Sequence, residues 1–332
     1  MMTEGTAQYV VEWENVDDLV ILMSDSRYEA IRKAGIKPVG HGSNLLFVER
    51  DYAGALLKCV ARGVKQLADE SESAVIEVDA GVALDDLISH CCDEKLWGVE
   101  NLSLIPGTVG AAAVQNVGAY GVEFKDVLVS VNCFYLAEKK LKRFDVNELE
   151  YGYRASLFKH ASVKNKYVVV SVVIRLSKMP CPRLDYGNLA QKVGDESNIN
   201  AIRCAVIALR RTKLPDVGEV GSAGSFFKNP VVSEDEYRRV VAYVAREGID
   251  VSTMPTYEVN DGKKLSAAWL IDKAGWKGVR MGHAGVWFLQ PLVLVNADGK
   301  ASGKDIAELA AAISSDVEKK FGVRLKPEVE YL

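Results

Sequence analysis

The chain has 332 residues, of which 41 are basic and 45 acidic, and its net charge is −4 with histidine neutral. A chain of this length forms two or three domains with sizeable apolar cores. The slight acidity excludes a broad basic field that would hold a nucleic-acid backbone, so any phosphate group must be bound by local features.

The four histidines and six cysteines include no Cys-x-x-Cys pair, so we predict no metal site. We interpret the cysteines as reduced thiols in the core of a cytoplasmic protein. The first nine residues lack the basic-then-apolar pattern of a signal peptide. The most apolar stretches, 167–174 and 291–295, are too short for a membrane helix, so we expect no membrane partner.

Helical and strand patterns alternate in the first half of the chain, as in α/β and α+β proteins. Asn15 is placed to cap a short helix, and a second helix is predicted over residues 83–91. The charged residues 138–143 are predicted to form the turn between two neighbouring strands. The predicted strands cover residues 37–42, 44–48, 74–78, 127–135 and 167–175. An irregular stretch follows, marked by Pro180, Pro182 and Gly187.

A longer helix is predicted to begin at Asn198 and to end before Pro215, where we place a domain boundary. Its apolar face at helical spacing consists of Ile199, Ile202, Val206 and Leu209. The last third of the chain contains three more predicted helices.

One of these helices begins at a capping box, Ser233 with Glu236. Another is predicted to start at residues 302–305. The helix between them covers residues 265–273 and stops before a glycine. The chain then ends in a predicted strand, because apolar and polar residues alternate over residues 323–332. The side chains on the apolar face of that strand are Val323, Leu325, Val329 and Tyr331.

Two glycine-rich segments contain the residue types of phosphate-binding loops. Glycines let backbone N–H groups point at one anion, and serine and asparagine add side-chain donors. The first segment follows a predicted strand and consists of Gly40, His41, Gly42, Ser43 and Asn44. The second is typical of a turn that leads into a helix N-terminus and contains Pro106, Gly107, Thr108, Gly110 and Ala111. A small polar segment continues it with Gln115, Asn116, Gly118, Ala119, Tyr120 and Gly121.

Each glycine segment by itself also fits an ordinary tight turn, but two of them in one α/β region favour a diphosphate ligand. Neither segment matches the Gly-x-Gly-x-x-Gly fingerprint, and the chain has no Walker-type Gly-Lys-Ser/Thr sequence. A Rossmann dinucleotide site and a P-loop are therefore both disfavoured.

Nine segments, taken in order, resemble one known family. They are residues 40–44, 105–110, 115–121, 152–159, 184–189, 212–215, 223–230, 268–272 and 325–329. Together they resemble the UDP-N-acetylenolpyruvoylglucosamine reductases, also called UDP-N-acetylmuramate dehydrogenases. The sequence Gly-Ser-Phe-Phe-Lys-Asn-Pro at 224–230 is specific, and the ordered set is more so. Tyr186 is similar to the tyrosine that one subclass folds over its substrate.

The resemblance implies an α+β fold with a two-lobed FAD-binding domain of the vanillyl-alcohol-oxidase/p-cresol-methylhydroxylase type and a smaller α+β substrate domain. The implied boundaries are 1–66 for the first FAD lobe, with 322–332 returning to the active site, 67–209 for the second lobe and 210–321 for the substrate domain. The glycine-rich segments and residues 115–121 are implied to bind FAD without a covalent bond.

The implied reaction is the NADPH-dependent reduction of the enolpyruvyl ether of UDP-N-acetylglucosamine-enolpyruvate to UDP-N-acetylmuramate, a step in peptidoglycan precursor synthesis. By the same resemblance, Ser225 donates a proton, Arg154 holds the substrate carboxylate and Glu328 completes the site. A guanidinium suits a carboxylate because it donates two parallel hydrogen bonds. The implied substrate contacts are Tyr186, Lys213, Asn229, Lys277 and Gln290.

The residue types alone leave other interpretations open. Ser225 fits an ordinary loop serine and Arg154 a surface arginine, while Glu328 fits a solvated strand face. At the level of function, the alternatives are another FAD-dependent oxidase or dehydrogenase of this fold and a non-catalytic UDP-sugar-binding relative. The three residues together favour an enzyme over the second alternative. The expected partners are NADPH and the UDP-linked sugar, without nucleic acid or an obligate protein partner.

Overall fold

The computed structural model describes residues 1–195, 198–259 and 262–332. It combines helices with antiparallel and parallel sheets, which confirms the predicted α+β class. The chain forms two compact units. The N-terminal unit consists of Ala7–Gly42 and Ala53–Arg210, and the C-terminal unit of Met1–Thr6, Ser43–Tyr52 and Arg211–Leu332. The finer division into two FAD lobes and a substrate domain stays a prediction.

The first half of the chain alternates strands and helices, but the sequence analysis did not predict the strands Thr6–Trp13, Asp51–Cys59 and Val64–Asp69. In chain order the elements are β1 Thr6–Trp13, α1 Val16–Ser24, α2 Glu29–Ala34, β2 Ile36–Val39, β3 Leu45–Leu46, β4 Asp51–Cys59, β5 Val64–Asp69, β6 Ser73–Asp79, α3 Leu84–Asp93, α4 Val109–Gln115, β7 Gly118–Ala119, β8 Val122–Glu123, β9 Leu128–Tyr135, β10 Lys140–Asp145, β11 Tyr167–Ser177, α5 Leu189–Val193 and α6 Ile199–Arg211. Asn15 caps α1, and the predicted apolar face of α6 is buried.

The remaining elements form the C-terminal unit together with β3. They are β12 Gly221–Ser225, β13 Val231–Val232, α7 Glu234–Arg246, β14 Thr256–Val259, β15 Gly262–Leu265, α8 Ala267–Lys273, β16 Arg280–Met281, β17 Ala284–Val286, β18 Val293–Asn296, α9 Gly303–Phe321 and β19 Glu330–Tyr331. The predicted capping box at Ser233 is present, and Ser302, where a helix was predicted to start, also forms a capping box with Asp305. Gly322 ends α9 in the left-handed conformation that glycine adopts readily.

The N-terminal unit is built on a five-stranded antiparallel sheet with the order β10-β9-β11-β6-β5. Its main core is formed by apolar residues of this sheet and of α3, α4 and α6. A second, smaller sheet has the order β1-β4-β2, in which β2 and β4 run parallel. The parallel strand β2 leads directly into the first glycine segment, and its Pro38 lies opposite Leu57.

The prediction of a charged turn over residues 138–143 is confirmed for Glu138 and Lys139 but is wrong from Lys140 onward. Residues from Lys140 to Asp145 form the edge strand β10, which pairs with β9 from Lys140 opposite Tyr135 to Asp145 opposite Ser130. Only Phe144 of this strand is buried. An edge strand exposes most of its side chains, so its lysines and arginine are solvated and produce no apolar alternation that the sequence could reveal.

The prediction of a final strand over residues 323–332 is wrong in extent. Only Glu330 and Tyr331 form a strand, paired in parallel with β3. Pro327 lacks the N–H that a continuous ladder needs, and it makes only an isolated bridge with Phe227. Three of the four predicted inward residues are buried, but Tyr331 is 41% exposed.

The six cysteines are all free thiols. Their interpretation as core residues holds for the buried Cys91, Cys92 and Cys133 but is wrong for Cys181 and Cys204, which are exposed. Cys204 lies on α6 outside its apolar face, and Cys181 lies in the irregular stretch before Tyr186. Over the described ranges, the model contains no helix with the length and apolarity to span a bilayer.

Candidate active site

The two glycine segments meet at Gly40. A Cβ placed on this glycine would lie 2.9 Å from the Thr108 hydroxyl and 3.0 Å from the Cβ of Ala111. Gly40 is not among the residues with a positive φ angle, so its role is close approach rather than an unusual backbone. The strand-to-turn transition after β2 therefore packs directly on the start of α4.

The second glycine segment is held on the sheet by its own backbone. Thr108 caps α4 and accepts a hydrogen bond from the Ala111 amide at 3.3 Å. The amides of Val109 and Gly110 donate to the carbonyls of Val82 and Ala80 at 2.9 and 3.0 Å. These three amides have acceptors inside the protein, so their helix-terminal hydrogen bonds position the loop.

Two cations and one carboxylate lie near the first glycine segment. Partial burial and the nearby cations Arg62 and Lys58 lower the pKa of His41, while Asp86 opposes them. The imidazole is therefore neutral near pH 7 and keeps one N–H donor. His41 and Gly42 are both exposed. A neutral donor with two cations nearby is a favourable environment for a phosphate oxygen.

The segment after α4 adopts left-handed backbone at Asn116, Tyr120 and Gly121, with φ angles of +46°, +48° and +81°. The fully buried Asn116 amide donates to the Glu123 carboxylate at 3.0 Å and to the Gly152 carbonyl at 3.1 Å. Its side-chain oxygen accepts from the Lys125 amide at 3.1 Å. This network fixes a backbone path that non-glycine residues rarely adopt.

The family-like segment 152–159 holds the end of α4. The Tyr151 hydroxyl donates to the Ala113 carbonyl at 2.8 Å, and the Ser156 hydroxyl donates to the Val114 carbonyl at 2.6 Å. Lys159 donates to the Gln115 side chain at 2.5 Å. Donors at a helix C-terminus satisfy carbonyls that have no partner within the helix. The segment thus fixes the part of the chain that precedes Asn116.

Arg154 extends from this segment toward the same backbone. Its guanidinium donates to the Gly118 carbonyl at 2.9 Å and to the Asn116 carbonyl at 3.4 Å, and lies 5.5 Å from the Tyr153 ring centroid. Its own φ angle is +52°, a conformation that costs energy for a residue with a side chain. The structure therefore places Arg154 with the predicted cofactor segment 115–121.

Tyr186 lies in the irregular stretch and is 54% exposed. Its ring meets the Tyr120 ring edge to face, with the centroids 6.0 Å apart. A Cβ placed on Gly121 would lie 3.6 Å from the Tyr186 Cβ, an ordinary contact distance. The predicted substrate-covering tyrosine thus packs on the predicted cofactor segment.

In the C-terminal unit, Ser225 and Glu328 lie on neighbouring segments. Ser225 is the exposed last residue of β12, and the next residue, Phe226, accepts a hydrogen bond from the Glu328 amide at 2.8 Å. The Asn44 side-chain amide donates to the Glu328 carbonyl at 3.2 Å, and the Asn44 backbone carbonyl accepts from the Glu330 amide at 3.0 Å. The structure therefore groups the predicted proton donor and carboxylic acid with Asn44.

The predicted substrate contacts of this unit are placed less uniformly. The Phe226 amide donates to the Leu292 carbonyl at 2.8 Å, so the turn with the half-buried Gln290 lies beside Ser225. Asn229 follows the same segment and accepts from the Ala267 amide at 3.0 Å. Lys213 and Lys277 are exposed in turns.

Comparison with known proteins identifies the family. The model of the UDP-N-acetylenolpyruvoylglucosamine reductase C-terminal domain matches residues 216–332, and an FAD-binding-domain model matches residues 7–144. A UDP-N-acetylenolpyruvoylglucosamine reductase of Bacteroides fragilis is 40% identical over 330 residues, covering 98% of this chain and 95% of its own length. The reductase of Pseudomonas aeruginosa is 41% identical over 295 residues, covering 87% and 84%. The chain belongs to the UDP-N-acetylenolpyruvoylglucosamine reductase family.

A solved structure supports the same fold. The reductase of Thermus caldophilus aligns with 97% of this chain and 91% of its own, at a TM-score of 0.64 and 23% identity. With the FAD-binding model over residues 7–144, this confirms the predicted fold class. As a member of the reductase family, the chain is an FAD-dependent oxidoreductase of peptidoglycan precursor synthesis.

Two features of this reductase were missed by the sequence analysis. Arg210 on α6 has its Nε atom buried without a hydrogen-bond partner among the described residues, and burial lowers its pKa while Tyr120 opposes that effect. Arg203 donates to both oxygens of Asp85 at 2.7 and 3.0 Å. Both arginines border the apolar face of α6 and are seven residues apart, so helical spacing could have revealed them.

Proposed function

We propose that Arg154, Ser225 and Glu328 perform the family's reaction in this chain, the reduction of the enolpyruvyl ether of a UDP-linked amino sugar. The observation that carries the proposal is the hydrogen bond from the Glu328 amide to the Phe226 carbonyl. It supports a joint role because it pairs the backbone that carries the carboxylic acid with the residue that directly follows the serine assigned to proton donation by the family motif.

The glycine segments fit FAD. Gly40 leaves no room for a side chain over the start of α4, and the next two residues are exposed, with two cations nearby. Such a surface suits a diphosphate, because backbone donors can approach its oxygens closely. Bound FAD supplies hydride chemistry that amino-acid side chains lack. The proposed FAD-binding residues are 40–44, 106–111 without Val109, and 115–121 without Val117.

Arg154 is proposed to hold the substrate carboxylate. Reduction of the enolpyruvyl group places negative charge on the carbon next to that carboxylate and on its oxygens. A guanidinium stabilises this charge best when its plane is already fixed, since no reorganisation is then required. The hydrogen bonds to the Gly118 and Asn116 carbonyls support this role because they restrain the plane of the group.

Ser225 is proposed to deliver the proton and Glu328 to polarise the enol group. A hydroxyl of ordinary acidity is a weak acid, so it needs a neighbouring group to replace the proton that it donates. The exposed position of Ser225 at the end of β12 supports access to a substrate. Gly224, with a φ angle of +70°, lies in the register shift of β12 that precedes it.

The remaining assignments complete the proposal. NADPH is the hydride source, and the nucleotide sugar is held by Tyr186, Lys213, Asn229, Lys277 and Gln290. We place the enzyme in the cytoplasm, since six unpaired thiols suit a reducing compartment. The packing of Tyr186 on Tyr120 supports a covering role, because an aromatic side chain on an irregular loop can exclude water from a bound ligand.

The test uses the purified FAD-bound protein and its visible spectrum. NADPH is expected to bleach the flavin band, and the UDP-enolpyruvyl sugar is expected to restore it in the absence of oxygen. Ser225→Ala should bleach normally and recover at least about 100-fold more slowly, because the proton donor is missing. Ser222→Ala on the same strand is the matched control. Recovery that is as fast in Ser225→Ala as in Ser222→Ala would remove the serine from the mechanism.

A further inference from the structure

A buried side-chain amide joins the predicted cofactor segment, residues 115–121, to the irregular loop of residues 178–188, which carries Tyr186. Asn101 is completely buried in a one-turn helix, Glu100–Leu102. Its side-chain nitrogen donates to the Tyr120 carbonyl at 2.7 Å and to the Arg183 carbonyl at 2.8 Å. Arg183 is 82 residues distant in sequence and lies three residues before Tyr186.

This contact needs an uncharged side chain with two donors, and an amide has both. Both partners are carbonyl oxygens that only accept, so the NH₂ group must face them and donate one hydrogen to each. The amide oxygen is buried without a partner among the described residues. A buried unsatisfied acceptor lowers stability, and an apolar side chain of similar size would avoid that cost. The benefit of asparagine at this position therefore lies in its two donors.

The two carbonyls belong to segments whose aromatic side chains touch. Tyr120 adopts a left-handed backbone, and its ring meets the ring of Tyr186 edge to face. Asn101 binds the backbone of Tyr120 itself and the backbone of Arg183 near the start of the Tyr186 loop. The loop is thus attached at its base, while the Tyr186 side chain remains 54% exposed.

We propose that Asn101 is a positioning residue that fixes the base of the Tyr186 loop to the cofactor segment and thereby sets the affinity for the UDP-linked substrate. The inference rests on the proposed function, because it requires Tyr186 to cover that substrate. Asn101 acts only through Tyr120 and Arg183, so it affects the substrate step more than flavin reduction by NADPH.

The test compares Asn101→Leu with Asn132→Leu in the FAD-bound enzyme. Asn132 is a matched control in the same unit, because its amide also donates twice, to Glu77 and Ser171, each at 2.9 Å. Asn101→Leu should raise the sugar concentration for half-maximal flavin reoxidation about tenfold relative to the control. The rate of flavin reduction by NADPH should change less than about threefold, which is less than half of the free-energy change that a tenfold effect represents. Equal sugar dependence in the two variants would overturn the inference.

A double-mutant cycle with Tyr186→Ala tests the route of the effect. If Asn101 acts through Tyr186, Asn101→Leu should add little to the loss already caused by Tyr186→Ala. Fully additive losses would overturn the inference while leaving the proposed function intact. Failure of the wild-type flavin to reoxidise with the sugar would instead refute the proposed function itself.

Limited trypsin digestion gives a readout that does not depend on activity. Release of the loop base should speed cleavage after Arg183 about tenfold in Asn101→Leu relative to Asn132→Leu, because cleavage follows local opening. Unchanged cleavage would overturn the inference. If Asn101→Leu fails to hold FAD, Asn101→Ser keeps one donor and should show smaller shifts in the same directions. An unshifted Asn101→Ser would then count against the inference.

Discussion

Because the two glycine segments touch at Gly40, we expect one added methyl group at this position to weaken FAD binding. In Gly40→Ala the new Cβ would lie 2.9 Å from the Thr108 hydroxyl and 3.0 Å from the Ala111 Cβ. Ordinary contacts begin at 3.4 Å, so the first glycine segment or the start of α4 must move by several tenths of an ångström.

The cost of that movement can be bounded. Overpacking of this kind costs about 1–3 kcal/mol. The unfolded chain loses freedom when glycine becomes alanine, which returns about 0.4–1 kcal/mol in stability but does nothing for FAD binding. If about 1.4 kcal/mol of the strain falls on the bound state, FAD should bind about tenfold more weakly.

The assay is titration of FAD-free protein with FAD, followed by flavin fluorescence, together with thermal unfolding. Gly285→Ala is the control, since Gly285 is buried without a positive φ angle and its new Cβ would meet nothing closer than 3.4 Å. Combining Gly40→Ala with Ala111→Gly removes one of the two close contacts and should recover part of the FAD affinity. Wild-type FAD affinity in Gly40→Ala would refute the argument that the two segments form one binding surface.

Three further predictions concern single side chains. Tyr186→Ala should weaken binding of the UDP-linked sugar by about tenfold or more while flavin reduction by NADPH is nearly unchanged; equal losses in both steps would contradict a covering role. Glu328→Gln keeps its backbone bonds and should slow flavin reoxidation by about 100-fold, and an unchanged rate would remove the acid from the mechanism. Burial raises the pKa of Glu100, although the hydrogen bond from the Gly98 amide opposes this effect. The folded state therefore holds the carboxyl proton more tightly than the unfolded state does. The stability that this provides is lost as the pH rises above the ordinary pKa of 4.5. Glu100→Gln should therefore raise the melting temperature at pH 7, and the melting temperatures of the two proteins should converge near pH 4. A constant difference in melting temperature across this range would contradict the explanation.

Much of the local structure was determined by the sequence alone. Asn15, Ser233 and Ser302 cap helices where predicted, because a cap depends on residues within one turn. The glycine segments and the ordered family motifs likewise predicted an FAD-dependent reductase, because each motif is a short run whose residue types have a local purpose. The edge strand β10 was missed because exposed charged side chains give no periodic signal.

The tertiary structure decided which distant residues meet. Gly40 packs on Thr108 and Ala111, and Asn101 reaches the carbonyl of Arg183 across 82 residues. It also showed that the first amides of α4 bind carbonyls of the protein, which no motif indicates. Such contacts depend on how whole helices and strands pack, and that packing is the sum of many weak interactions over the core. The residues that flank each contact in sequence therefore do not indicate which distant residue it will touch.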